Sequence, residues 1–562
     1  MDSTSSCVSV YNVSLQVGLL SAGLLTWGAL HYKAARGDIA FLVYALAFSA
    51  TYVGAYHLGN NICDSPSVFS FTVFGVYTAS ALTFTVLYRL SPFHPLAGYP
   101  GPRAWWISSV WLSYVSYMGR RHLILDELHK QYGPYLRIGP DTLSINSPGA
   151  MSIYASSVAV KGDSYLAPGR LPGIALFFKQ ATEKIHSTRK RVWSSLFTAT
   201  GIVQILPALE ARTWELMDCL ERRQSLSDTG TLNLTDCFYH WSYDLMGDMV
   251  FGASNELGLM KNGDPHNFIL NGKIATAVLD SVGQTPWLMD LVWHLPAGKD
   301  MHELRRRAAD MVRARINVVK PQALRDLMSY LIEAADIPKE DLELDAIVAI
   351  QGGSDNTSIT MGLAFYFMLS EPGTFDALRS ELEKAFPDPT GSLPPAELAG
   401  LPYLNAVVNE ALRLGSPYFL PRVAPAGGMT IDDRFIPEDT VVAIAAYSQQ
   451  TSPDNFFPDP LRFRPLRWFK DGLGPGTKAN KSAIASFSTG NHACIAKAFA
   501  YQEMRHVIAR LVLAYDMSLD DSFDVKAFRD GILNMRTTFL EKDLIVSVKR
   551  RAGVNLKAFE RS

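Results

Sequence analysis

Three apolar runs dominate the first ninety residues, at about 13–30, 39–58 and 68–87. Each approaches the ~20 residues that cross a hydrocarbon layer as a helix. The only charged residues in this stretch are Asp2, Lys33, Arg36, Asp38, Asp64 and Arg89. No basic residue precedes the first run and two more runs follow it, which argues against a cleaved leader. Residues 1–90 therefore read as a membrane anchor of three transmembrane helices, with a single span over 68–87 as the alternative. Lys33 and Arg36 lie in the first loop and Arg89 follows the third run, which places that loop and the rest of the chain on the cytoplasmic side. For a eukaryote, that implies a multi-pass protein of the endoplasmic reticulum membrane. Pro92, Pro95, Pro100 and Pro102 then stiffen residues 91–104 into a hinge.

From residue 105 to 562 no second linker, repeat or low-complexity tract interrupts the pattern, so the remainder reads as one domain. Apolar residues recur at helical spacing in Leu123–Gln131, Ile202–Leu220, Met301–Val319, Leu342–Leu369, Phe375–Phe386, Leu401–Leu414 and Ala496–Tyr515. Short strand-like runs occupy Tyr135–Ile138, Thr430–Ile436 and Val441–Ala445, and the last two are close enough to pair. The fold class is mainly α with a small β region.

Composition narrows the chemistry. Lys and Arg number 52 against 54 Asp and Glu, a balance that excludes a polyanion-binding protein; the arginines of Leu304–Lys320 read as a solvated helix face, and no nucleic acid is expected. Five cysteines, Cys7, Cys63, Cys219, Cys237 and Cys494, show no CxxC spacing, so neither a disulfide framework nor a zinc cluster is indicated. With three spans, Cys7 and Cys63 both face the oxidising side and can pair. GLGPGTK at Gly472–Lys478 lacks the G-K-[ST] ending of a phosphate loop, and no GxGxxG follows a strand.

Cys494 stands just before a helix that runs to Leu513. A thiolate there is stabilised by free backbone N–H groups and the helix dipole. Gly490 lets the preceding loop turn tightly, and Phe487 can cover the sulfur. Alone, such a cysteine is most often a small buried residue. The whole string FSTGNHACIA, however, resembles the haem-binding signature of the cytochrome P-450 family, F-x-x-G-x-[RH]-x-C-x-[GA], through Phe487, Gly490, His492, Cys494 and Ala496. The resemblance extends through ordered motifs over most of the chain. It implies a P-450 fold, haem b (iron protoporphyrin IX) and Cys494 as the axial ligand of the iron.

The family's E-x-x-R motif matches Glu410 and Arg413, whose i,i+3 spacing puts both on one helix face. FRPLRW matches the segment that adds a third partner, Arg467, although Leu466 replaces the usual Glu. The resemblance implies a structural triad that holds the cysteine loop. It also implies cations on the haem propionates: His492 where Arg is usual, Arg422 in FLPRVAP, and His186 with Lys190 in HSTRKR. Lys190 replaces an Arg, and Arg189 or Arg191 can substitute for it.

The family's oxygen-activating helix corresponds to Leu342–Leu369, with Gly352, Gly353 and Asp355 in place and Thr357 following. Two successive glycines inside a helix cost stability, so something must approach the backbone there. Asn356 stands where threonine normally supplies a hydroxyl for proton delivery; Asp355, Asn356 and Thr357 are the candidate catalytic residues.

Taken together, the resemblance implies insertion of one oxygen atom from O2 into a lipophilic small molecule, with electrons from a separate NADPH-cytochrome P-450 reductase. Phrases such as LPRVAPAGG and FFPDPLRFRPLRW are similar to microsomal fungal enzymes of secondary metabolism. Lys497 with Arg189, Lys190 and Arg191 forms a candidate basic docking patch for the reductase. Residues 233–295 and 415–420 are the candidate substrate-contacting regions. Two other readings keep the haem: an isomerase or dehydratase that uses no O2, for which Asn356 speaks, and a non-catalytic haem-binding membrane protein.

Overall fold

A computed structural model describes residues 8–32, 35–58, 62, 64–167, 169, 176–179, 182–318, 325–415 and 418–554. Cys7 and Cys63, and with them their pairing, lie outside the described residues.

The N-terminal segment folds as helices Val13–Tyr32, Gly37–Leu58 and Pro66–Leu90, all three long and apolar enough to cross a membrane. The third starts where Ser65 Oγ accepts from Val68 N and Pro66 occupies the first turn, a position that needs no N–H donor. It packs on the other two helices. Ser80 Oγ donates to Leu20 O at 3.0 Å, and Thr26 and Tyr77 meet at 2.9 Å. Such bonds give polar side chains on apolar helices their partners.

The proline segment packs against the body. Leu96 is buried with the sheet residues Leu143 and Ile444, and Arg137 N donates to Pro100 O at 2.8 Å. Gly101 lies so close to Arg137 O that a Cβ would not fit, and Arg89 donates to Ile107 O at 2.5 Å. The start of the second helix is tied down as well. Gly37 N donates to Asp290 Oδ2 at 2.9 Å, and His294 lies 3.3 Å from Asp38. Prolines restrict the chain but leave carbonyls and apolar rings free to pack, and here both do.

The domain is built around Leu342–Ser370, a helix buried over most of its length. Leu234–Phe251, which the apolar spacing alone does not mark out, packs along it and is buried on nearly all faces. Pro402–Gly415 and Lys497–Ala514 cover other sides. A four-stranded sheet lies apart from this bundle, in the order Tyr135–Arg137, Thr142–Ile145, Val441–Ile444, Arg422–Val423. Thr142–Ile145 runs parallel to Val441–Ile444, and Arg422 faces Val442 on the edge strand.

The expected pairing of Thr430–Ile436 with Val441–Ala445 does not occur. Asp432 and Asp433 have φ of 46° and 63°, so the chain reverses on itself into a hairpin, Met429–Ile431 against Arg434–Ile436. Two successive left-handed residues are what a two-residue hairpin turn requires. Val441–Ile444 is thereby left to join the larger sheet.

Candidate active site

Cys494 sits in the loop between a short helical turn, Gly490–His492, and the Lys497–Ala514 helix. Its backbone N donates to Phe487 O at 2.8 Å, closing the loop. Gly490 has φ of 71°, and any Cβ there would collide with Tyr154 O. Cys494 is exposed, but to the interior: it lines a cavity of about 300 Å³. Burial pushes its thiol up, while the Ala496 N–H and the Lys497 charge act the other way. The Phe487 ring stacks near Tyr501, at 5.3 Å between centroids, and lies under Lys497 Nζ.

The cavity's other wall is the Leu342–Ser370 helix, and its two glycines serve different ends. At Gly352 no atom lies within 4 Å of where a Cβ would stand, so the helix backbone is bare to the cavity. At Gly353 a Cβ would come within 2.6 Å of Met246 Sδ, so this glycine lets the Leu234–Phe251 helix approach. Asn356 and Thr357 both line the cavity. Asn356 Nδ2 donates to Gly352 O at 3.1 Å, and its Oδ1 accepts from Thr537 Oγ1 at 2.9 Å. Thr357 Oγ1 points elsewhere, donating to Glu503 Oε2 at 3.3 Å. Asp355 turns away from Cys494: it lines a second cavity of about 170 Å³ and accepts from Tyr243 OH at 2.8 Å. Burial pushes its carboxyl up to about 6, against the Tyr243 hydrogen bond and the Lys273 charge.

Basic side chains gather at one edge of the cavity. His186 Nε2 lies 3.2 Å from His492 Nδ1. Burial, joined by the charges of Lys161, Lys190 and Arg422, pushes the first down to about 4 and the second to about 2. Lys190 Nζ donates to Asn491 O at 2.6 Å. Arg422 is buried over the rings of Tyr154 and Tyr165 and donates to Pro421 O at 3.0 Å. Lys161, which the sequence pattern does not single out, is buried with its Nζ on Leu176 O and Phe177 O at 2.6 and 2.9 Å. Arg189 is not at this edge. It is buried between Asp341 at 2.9 Å and Asp345 at 2.5 Å, and so leaves both the candidate cation set and the candidate docking patch. Arg191 is exposed, 3.5 Å from Asp336.

Glu410, Arg413 and Arg467 meet, all buried. Arg413 binds Glu410 in a fork at 2.7 and 2.9 Å, and Arg467 Nε reaches Glu410 Oε1 at 3.2 Å. Trp468 Nε1 and Arg464 N donate to the same carboxylate at 3.0 and 3.1 Å. Buried charges persist when paired and hydrogen-bonded in this way. Arg413 also donates to Gln450 O at 2.6 Å, and Gln450 Oε1 accepts from Ala485 N at 3.3 Å, two residues before Phe487.

Among the described residues no carboxylate pairs with Lys161, Lys190 or Arg422 within ion-pair distance. Basic side chains clustered in this way, with Lys161 and Arg422 buried and Lys190 half-buried, suit an anionic ligand, which would favour their charged forms. A cysteine open to the same apolar cavity is a soft donor, and the helix across it is bare at Gly352. These residues fit a haem with its propionates, and the class of site is that of a haem-thiolate enzyme.

A family model described as Cytochrome P450 matches residues 99–539, and the chain belongs to the cytochrome P450 family. It is similar to tryprostatin B 6-hydroxylase of Neosartorya fischeri, 31% identical over 458 residues that cover 80% of this chain and 81% of that protein. It is likewise 31% identical over 488 residues to a cytochrome P450 monooxygenase, notG', of Aspergillus versicolor, covering 84% and 86%. Cytochrome P450 67 of Uromyces fabae is 32% identical over 469 residues, covering 79% and 84%. The chain is a haem-thiolate monooxygenase, an oxidoreductase whose cofactor is haem b, similar to fungal P450 enzymes of secondary metabolism.

Proposed function

We propose that this enzyme inserts one oxygen atom from O2 into a lipophilic small molecule of fungal secondary metabolism. Electrons would come from NADPH through a separate reductase, and the body would stand on the cytoplasmic face of the endoplasmic reticulum membrane behind its three-helix anchor. One observation carries the reading: Cys494 opens, across an apolar cavity, onto a helix whose backbone is bare at Gly352.

Bound haem supplies oxygen activation, with the thiolate favouring O–O cleavage. The protein's own residues do the rest. Cys494 Sγ would hold the iron, and Phe487 would shield the sulfur from water. Gly490 allows the loop its turn. His492, His186, Lys190 and Arg422, joined by Lys161, would hold the propionates. Glu410, Arg413 and Arg467 brace the loop through Gln450. Met246, Met249, Val250, Tyr418 and Leu420 line the cavity and present apolar surface to a substrate, which favours a lipophilic one. Of Asn356's amide, one N–H is spent on Gly352 O, and the other can hold a water in the cavity. Asp355, held by Tyr243 and near Lys273, is placed to exchange protons on the far side of the helix.

The test is spectroscopic and kinetic. Cys494→Ser should abolish the thiolate-specific absorption shift of the reduced carbon-monoxide complex; retention of that shift would remove Cys494 from the site. The second reading, an isomerase or dehydratase that uses no O2, is favoured by Asn356. Oxidation of NADPH in the presence of purified reductase and O2 excludes it; its absence would overturn the oxygenase reading.

A further inference from the structure

Glu503 lies on the Lys497–Ala514 helix, between Phe499 and Val507 on the buried side. It is 2% exposed, yet among the described residues no Lys, Arg or His stands within ion-pair distance. Its Oε1 has no hydrogen-bond partner among the described residues, and its Oε2 accepts only from Thr357 Oγ1 at 3.3 Å. A carboxylate so placed would carry an uncompensated charge out of water, at a cost of several kcal/mol on the order given by burial of ions. The group escapes that cost by keeping its proton; burial pushes it well above the ordinary carboxylate range. Glu503 is also the one carboxyl group lining the Cys494 cavity among the described residues.

The opposite wall lacks a proton donor of this kind. Asn356 gives one N–H to Gly352 O and accepts from Thr537, and an amide does not release a proton as an acid or hydroxyl does. Asp355 faces Tyr243 and the second cavity. Thr357 is therefore the hydroxyl of this cavity in contact with an acid.

We propose that Glu503 stores the proton consumed in this cavity and passes it through Thr357 Oγ1, a positioning pair that serves where Asn356 cannot. The assignment rests on the oxygenase reading above, whose balance is RH + O2 + 2e⁻ + 2H⁺ → ROH + H2O. In the relay, the Glu503 carboxyl O–H breaks as a new O–H forms on Thr357 Oγ1. The proton that Thr357 held leaves to a cavity water, and the Glu503 carboxylate is reprotonated from water. No electrons move in these steps; both come from NADPH. A hydroxyl both donates and accepts, so rotation of the two O–H groups turns the observed hydrogen bond into the donating one.

The experiment uses the full chain with haem, purified reductase, NADPH and O2 as the probe, with no organic substrate. Electrons then leave by two routes: O2 + 2e⁻ + 2H⁺ → H2O2, or O2 + 4e⁻ + 4H⁺ → 2H2O. The second needs further protons in the cavity, so the peroxide-to-water ratio reads proton supply. Glu503→Gln, which keeps shape and hydrogen bonding but has no proton to give, should raise that ratio at least about tenfold, the lower end of what a placed general acid contributes being larger still. Thr357→Val should do the same, the double variant should do no more than either, and Glu503→Asp should restore part of the water route. Independently of turnover, infrared spectra of the parent should carry the carbonyl band of a buried carboxylic acid that Glu503→Gln removes. An unchanged ratio in Glu503→Gln, or persistence of that band, overturns the assignment while leaving the oxygenase reading intact. A parent that already sends every electron to peroxide overturns it too. If Glu503→Gln fails to hold haem, an unchanged ratio in Thr357→Val is the overturning result. A parent that consumes no O2 at all overturns the oxygenase reading and this proposal with it.

Discussion

Replacing Gly352 by alanine sets two physical effects against each other, and the structure says where each appears. Inside a helix, Gly→Ala is worth about 1 kcal/mol in favour of the folded state. No atom lies within 4 Å of the added Cβ, so nothing in the protein offsets that gain. The methyl group instead enters the cavity facing Cys494. Ligand at the haem must then yield to it, and overpacking of this size costs about 1–3 kcal/mol, a factor on the order of ten to a hundred in affinity. Gly353→Ala reverses the pattern. Its Cβ would stand 2.6 Å from Met246 Sδ; the same overpacking then falls on the fold and outweighs the helix gain. The assays are urea unfolding, followed by circular dichroism, and equilibrium titration of the reduced enzyme with carbon monoxide. Gly352→Ala should be as stable as the parent or more so, yet bind carbon monoxide at least about tenfold more weakly. Gly353→Ala should lose stability and recover it when Met246 is also shortened to Ala. If Gly352→Ala loses more than about 1 kcal/mol of stability, or binds carbon monoxide as the parent does, the assignment of one glycine to ligand space and the other to helix packing is wrong.

Other expectations follow from the same geometry. Asp355 carries its proton in the folded state up to about pH 6, whereas an unfolded aspartate loses it near pH 4. The fold therefore binds the extra proton between these values, and stability falls as pH rises through that window. Asp355→Asn should flatten this part of the curve in urea unfolding at pH 4.5 and 7; an unaltered slope would show that Asp355 is ionised throughout. Glu410→Ala leaves two buried guanidiniums without their shared carboxylate and should cost about 3–5 kcal/mol, seen as loss of haem and an earlier urea midpoint; a variant that keeps both would make the triad dispensable. Lys497 is exposed at the start of the cysteine helix, and Lys497→Glu should slow electron delivery with haem content unchanged, the deficit shrinking as salt rises. Equal rates at all salt concentrations would place the reductase elsewhere.

The parts of this molecule that local spacing determines were legible in its sequence. Three apolar runs became three helices, and the i,i+3 pair Glu410 and Arg413 shares one buried face. The turn before Cys494 needed Gly490, and its φ of 71° shows why. What stayed hidden depends on direction and on distant partners. Arg189 and Lys190 are adjacent, but ~100° of helix rotation sends one to Asp341 and Asp345 and the other to Asn491. Lys161 lies in a loop with no periodicity, and only the fold brings it to His186 and His492. Two signals were present in plain letters. Asp432–Asp433 marks a two-residue hairpin inside what otherwise looks like one strand. Glu503 is four residues from both Phe499 and Val507, an acidic residue on the apolar side of a helix.

The bond from Gly37 N to Asp290 Oδ2 makes the N-terminal helices part of the body's surface. Gly37 starts the second apolar helix, Asp290 sits in Pro286–Val292, and a Cβ at Gly37 would meet the carbonyl of Trp287. Beside them stand His294 and Trp293, the latter on the rim of the cavity that Asp355 lines. A version trimmed of residues 1–90 for easier purification would thus lose more than its tether. It would strip one wall from the Pro286–Val292 helix, take a hydrogen bond from Asp290 and bare the half-exposed Trp287. Differences in ligand uptake between trimmed and full-length enzyme would then originate at this seam, some distance from Cys494, with every residue around the haem unaltered.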